Sequence, residues 1–226
     1  MGVKKRPMNR AATIKLVYTV TKKAYTKKEL VQRFRTEGIL DAARRVIARR
    51  GLDKTTMEQV AEEAGISKAT IYLYFKNKEA LYFHCVMERF DALLALMRES
   101  LVGVDDPVKK IETLVVTQVR AIEQDKDFTR VFLTESMGVF LDHTTDFGQE
   151  FKKRHDEFTA IYADTLKEAM DKGQLREADP VKAFSLLFSM VRGMAMCKLL
   201  FKDGTPLSSE VGLILGVFFN GLKITT

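Results

Sequence analysis

Apolar residues in this 226-residue chain return mostly three or four positions after the last one. No other feature restricts the fold as much, because that spacing gathers side chains into one stripe on an α-helix and scatters them over both faces of a strand. Strand signals are sparse, and the chain has only 4 prolines. Two of them mark helix starts. In Asp106-Pro107 and Asp179-Pro180 an aspartate able to accept from free backbone N–H groups precedes a residue with no N–H to leave unpaired. The expected fold is all-α. Helices are expected over about 34–50, 56–63, 68–74, 77–101, 107–124, 128–138, 145–172, 180–201 and 208–222. On the first of these Phe34, Ile39, Leu40, Ala43, Val46 and Ile47 are expected on one side.

Charge divides the chain. Residues 1–80 carry 19 Lys and Arg against 8 Asp and Glu, a net of +11, while residues 81–226 carry 18 against 22, a net of −4. A basic third joined to a mildly acidic remainder implies that one part meets a polyanion and the other does not. Residues 1–33 form a basic extension with 10 Lys and Arg and the single acid Glu29. It reads as a DNA-contacting arm, as a tail without fixed structure, or as sequence ahead of a later start such as Met8. No apolar run reaches the roughly 18 residues of a membrane span, and no secretory core follows the basic start. Cys85 and Cys197 stand far apart without metal-ligand spacing, which implies reduced, buried thiols in a cytoplasmic protein. Neither His143 with Asp142 and Asp146 nor His155 with Asp156 and Glu157 has tight metal spacing, so no metal and no cofactor is expected.

The densest information lies in TTMEQVAEEAGISKATIYLYF, residues 55–75. Thr55 or Thr56 can cap a first helix whose inner face is Val60, Ala61 and Ala64. Gly65 permits a sharp turn, Ile66 fills the corner, and Ser67 can cap a second helix. Ile71 and either Tyr74 or Phe75 point inward. This is the pattern of a helix-turn-helix, whose second helix enters the DNA major groove. Lys68, Ala69, Thr70, Tyr72 and Leu73 are left outside. Lys68 and Thr70 offer donors, while Ala69 and the Thr70 methyl suit a thymine methyl. Tyr72, Tyr74, Lys76 and Lys78 suit phosphates, which fix register without reading sequence.

The stretch from Phe34 to Leu81 resembles the N-terminal signature of the TetR family of transcriptional regulators. The likeness rests on the threonine pair, the Ala64-Gly65 turn, the Ser67-Lys68-Ala69-Thr70 start, the Tyr-x-Tyr-Phe run at 72–75 and the Lys-Glu-x-Leu opening at 78–81. Residues 82–226 match only in being helical and apolar-rich, and the basic extension departs from the family's shorter start. The resemblance implies a three-helix DNA-binding head over 34–80 and a helical ligand-binding and dimerisation domain over 81–226. It implies that Thr56, Tyr74 and Lys78 meet phosphates, with Ser67 opening a reading surface of Lys68, Ala69, Thr70 and Tyr72. It also implies double-stranded operator DNA and a small-molecule effector as partners, and a homodimer built from the two C-terminal helices.

Thirteen of the 15 phenylalanines lie after residue 80. Phe128, Phe132, Met137, Phe140, Phe147, Phe151, Phe158, Tyr162, Phe188 and Met194 are candidates for an apolar effector pocket. Taken singly, an aromatic at helical spacing is more often core than ligand contact. Arg192 interrupts the apolar helix 180–201 and calls for an anion; an internal carboxylate is the expected partner, and the acid group of a ligand is the alternative. No nucleophile elbow, phosphate loop or metal cluster is present, so an enzyme is not expected. The expected function is a sequence-specific DNA-binding repressor released by an apolar ligand. The alternative is a DNA-architecture protein of low specificity, held mainly by charge.

Overall fold

The computed structural model describes residues 26–136, 142, 144–201 and 204–222. The stretch before Thr26, with its possible arm, lies outside them, as do Met137, Phe140 and His143. The chain forms helices α1 (Lys27–Arg50), α2 (Met57–Glu63), α3 (Lys68–Tyr72), α4 (Lys78–Ser100), α5 (Pro107–Gln124), α6 (Lys126–Val131), α7 (Asp146–Asp171), α8 (Pro180–Phe201) and α9 (Val211–Leu222). A π-helical turn (Phe132–Ser136) follows α6, and a 3-10 turn (Leu207–Glu210) precedes α9. Among the described residues there is no strand.

Two compact units meet at Gly38 and Ile39, inside α1. In the first, α1 begins seven residues earlier than its apolar pattern implies. The reason is a capping box: the Thr26 backbone N–H donates to Glu29 Oε2 at 2.7 Å, and the Glu29 N–H donates to Thr26 Oγ1 at 3.3 Å. Phe34, expected on the buried side, is 54% exposed. At about 100° per residue it lies roughly half a turn from Ala43, so it cannot share that residue's stripe.

In the second unit the caps fall where the sequence places them. Asn77 Oδ1 accepts from the Ala80 N–H at 2.8 Å, Asp106 Oδ1 from Lys109 at 2.9 Å and Thr145 Oγ1 from Gly148 at 3.0 Å. Asp179 accepts from both Val181 and Lys182 at the start of α8. Side chains then sort into two hydrophobic clusters. One joins Ile39, Ala43, Val46, Ile47, Val60, Ile71, Phe75 and Leu81 to Phe128, Val131 and Phe151. The other gathers Leu94, Met97, Ile111, Leu114, Phe158, Tyr162, Leu166, Phe184, Leu187 and Ile214 from α4, α5, α7, α8 and α9.

Cys85 is buried, and its thiol is pushed up to about 12 by that burial. Cys197, expected buried as well, is exposed on α8. Exposed apolar residues collect on the last two helices: Val181 and Leu186 on α8, Leu213 and Val217 on α9. Around Gly193, Gly212 and Gly216 the space a Cβ would enter is open to at least 4 Å. No described helix is long and apolar enough to cross a membrane.

In the C-terminal cluster Tyr162 donates its buried hydroxyl to Gln118 Oε1 at 2.8 Å. Tyr162→Phe removes that bond at unchanged shape and is expected to destabilise the protein by about 1 kcal/mol. Urea denaturation with a fixed slope is the measurement that checks it.

Candidate nucleic-acid interface and ligand cavity

The head is assembled from short-range hydrogen bonds. Thr55 is buried and donates Oγ1 to the Gly51 carbonyl at 2.7 Å. Thr56 is therefore the cap of α2: its Oγ1 accepts from the Gln59 N–H at 3.3 Å, and Gln59 Oε1 accepts from the Thr56 N–H at 3.1 Å. The turn closes at Gly65, whose φ of 68° lies in the left-handed region that a side chain resists. The Ile66 N–H then donates back to the Ala61 carbonyl at 2.9 Å. Ser67 caps α3 by accepting from the Thr70 N–H at 3.1 Å, and the two hydroxyls share a second bond of 2.8 Å. Ile71 and Phe75 are buried beneath the helix.

Those anchors settle what α3 presents. Lys68, Ala69, Tyr72 and Lys76 are exposed, Thr70 is half-buried, and Leu73 is 84% exposed. Tyr74 packs its ring on the head cluster while its hydroxyl has no partner among the described residues. Lys68 forms an ion pair with Glu58 in the first turn of α2. The hydrogen bond from Lys68 holds the Glu58 carboxyl below its ordinary range, and Glu58 in turn raises the Lys68 ammonium. Lys78 is placed differently from the other basic residues. Its ammonium donates to the carbonyls of Leu52 at 3.0 Å and Asp53 at 3.2 Å, tying the start of α4 to the loop before α2.

A cavity of about 260 Å³ lies among α4, α5, α6, the π-helical turn, α7 and α8. Phe128, Phe132, Phe151, Phe158, Phe188 and Arg192 stand on its wall. Phe158 centres the aromatic packing, with ring centroids 5.9 Å from Phe90, 5.6 Å from Phe184 and 5.8 Å from Phe188. His155 also lines the cavity, 6.2 Å from both Phe151 and Phe188. Among the described residues no group of three or more His, Cys, Asp or Glu is placed to hold a metal ion.

Residues 39–85 match the profile of bacterial regulatory proteins of the tetR family, and residues 104–196 match that of the tetracyclin repressor-like C-terminal domain. The chain belongs to the TetR family of transcriptional regulators. It is 26% identical over 177 residues to the HTH-type transcriptional repressor KstR2 of Mycolicibacterium smegmatis, covering 78% of this chain and 83% of that one. To the fatty acid metabolism regulator protein of Bacillus subtilis it is 24% identical over 154 residues, 68% of this chain and 77% of the other. The fold is also that of the transcriptional regulator FadR from Bacillus subtilis solved in complex with stearoyl-CoA, with a TM-score of 0.73, 21% identity, and coverage of 82% and 98%.

In this TetR-family protein the sequence places α3 and its cap, but not every side chain's partner. Tyr162 stands behind the cavity wall, in the core, and Gln118 takes its place on the surface. Phe147 stacks on Phe83 at 4.2 Å, away from the cavity. Val86, Phe90 and Leu93 of α4 also line the cavity, beyond the residues expected from the sequence. Their spacing of four and three residues was the available signal. The internal carboxylate expected for Arg192 does not occur among the described residues.

Two substitutions separate support from contact. Lys78→Met removes two carbonyl bonds and is expected to lower the melting temperature, by loss of roughly 1–3 kcal/mol. Tyr74→Phe leaves the core ring in place and is expected to weaken binding to every DNA sequence alike, by roughly two- to tenfold. Fluorescence anisotropy with matched and scrambled duplexes checks the second; a sequence-dependent loss would overturn the phosphate role.

Proposed function

We propose that this regulator is a dimeric, cytoplasmic repressor that leaves its operator when an apolar effector fills the cavity. Each protomer sets α3 in the major groove through Lys68, Ala69, Thr70 and Tyr72. Thr56, Ser67, Tyr74 and Lys76 stand around that helix as candidates for phosphate, and Lys78 has one ammonium donor left for it. The two heads read half-sites about one helical turn apart or somewhat more. The homodimer uses α8 and α9, whose exposed Leu186, Leu213 and Val217, with open space around Gly212 and Gly216, suit close helix packing between copies.

One observation carries the effector reading. Phe128 and Phe151 line the cavity and also belong to the hydrophobic cluster of the head. A ligand that displaces either ring repacks the floor on which α1, α2 and α4 rest. Arg130 on α6 adds a tie, donating to the Ala48 carbonyl of α1 at 3.4 Å. A ligand moves the heads only to the extent that it binds one arrangement more tightly than the other. The stearoyl-CoA in the Bacillus subtilis structure makes acyl-chain compounds the first effectors to try.

Selection of bound duplexes from a random library at physiological salt tests the reading. A two-fold-symmetric site is expected, with specific affinity about 10³-fold or more above nonspecific. Binding without enrichment that still falls steeply with salt would favour a charge-held architectural protein.

A further inference from the structure

Arg192 is half-buried on α8 and faces the cavity. A guanidinium stays charged at any physiological pH and needs an anion or several acceptors when taken out of water. Among the described residues no carboxylate pairs with it, and no Asp or Glu stands on the cavity wall. The other arginine there, Arg89, is already paired with Asp125 at 3.3 Å. A second donor faces the same space. Gln118 is 5% exposed, and its carbonyl oxygen is taken by the Tyr162 hydroxyl. Its amide N–H₂ has no acceptor among the described residues. The rest of the wall is mostly Phe, Leu, Ile, Val and Ala. Gln124, Thr129 and His155 are the other polar residues of the wall, and a charged donor in a chamber otherwise mostly apolar describes a ligand with an apolar body and an oxygen-rich end.

We infer that the cavity takes a carboxylate-bearing amphiphile, whose acid group pairs with Arg192 while its chain or ring lies among the phenylalanines, with the Gln118 amide a second donor on the same wall. The inference rests on the reading of this cavity as the effector site and names the effector's chemical class. Size agrees. About 260 Å³ is a little below the roughly 300–1,000 Å³ of sites that enclose drug-sized molecules. The acyl part of a medium-length acid fits within it.

The test is calorimetric titration of the full-length protein, without DNA, with decanoate, decan-1-ol and decanoyl-CoA. On the parent protein decanoate is expected to bind about tenfold or more tightly than the alcohol, because a charge-assisted pair is lost with the carboxylate. Arg192→Gln is expected to bring the two within about twofold through a loss of acid affinity that exceeds any loss of alcohol affinity, and Arg192→Lys to retain part of the preference. Equal binding of acid and alcohol by the parent overturns the inference, and so does binding of none of the three. A preference that survives Arg192→Gln overturns it as well, as does decanoyl-CoA binding above decanoate to parent and variant alike. If Arg192→Gln does not fold, Arg192→Lys and the acid-to-alcohol ratio of the parent decide. Release from the selected operator is followed separately by anisotropy. Arginine-dependent binding of the acid that leaves DNA bound supports the anchor and removes the effector reading; release by acid and alcohol alike does the reverse.

Discussion

Phe90 packs edge-to-face against Phe151 at 5.4 Å and against Phe158 at 5.9 Å. Phe151 belongs to the cluster under the head and Phe158 to the cluster of the C-terminal helices. One ring on α4 therefore touches both hydrophobic cores and also lines the cavity. Such aromatic pairs are worth about 0.5–1.5 kcal/mol each beyond the area they bury. Their larger effect here is geometric. The two cores cannot shift independently while Phe90 stays wedged between them, and packed interiors tend to change by discrete steps.

The polar groups follow from that arrangement. On α4, which crosses both cores, Asp91 lies on the exposed side. Arg154 of α7 meets Asp91 there at 2.7 Å, and the bond it donates to that carboxylate raises its guanidinium above the ordinary value. Inside, Tyr162 is spared an unpaired hydroxyl by Gln118, and Gln118 comes to the cavity surface in doing so. One buried phenol thus helps decide where a donor stands on the wall of the cavity.

Much of this was legible in the sequence because the deciding interactions are local. Asn77, Asp106, Thr145 and Asp179 each cap a helix within two or three residues, and Ser67 does the same for α3. The early start of α1 was legible too, in Thr26 and Glu29, but a basic stretch masked a capping signal that charge does not weaken. Other features were not legible at all. The Lys78 ammonium bonds the Leu52 and Asp53 carbonyls across 26 and 25 residues, and Gln118 meets Tyr162 across 44. No spacing rule reaches that far. The π-helical turn after Val131 follows from no residue preference, and the exposed thiol of Cys197 depends on which side of an almost wholly apolar helix faces out.

Lys68 is held by Glu58 in the free protein. An anion that Lys68 meets either shares the ammonium with that carboxylate or displaces it, and a freed carboxylate attracts a cation of its own. The net number of ions released on binding is smaller by up to one for each such lysine than a tally of cation–phosphate contacts would give. Where Lys68 meets a phosphate by such displacement, the slope of affinity against salt understates the contacts made, and an electrostatic footprint judged from that slope comes out too small.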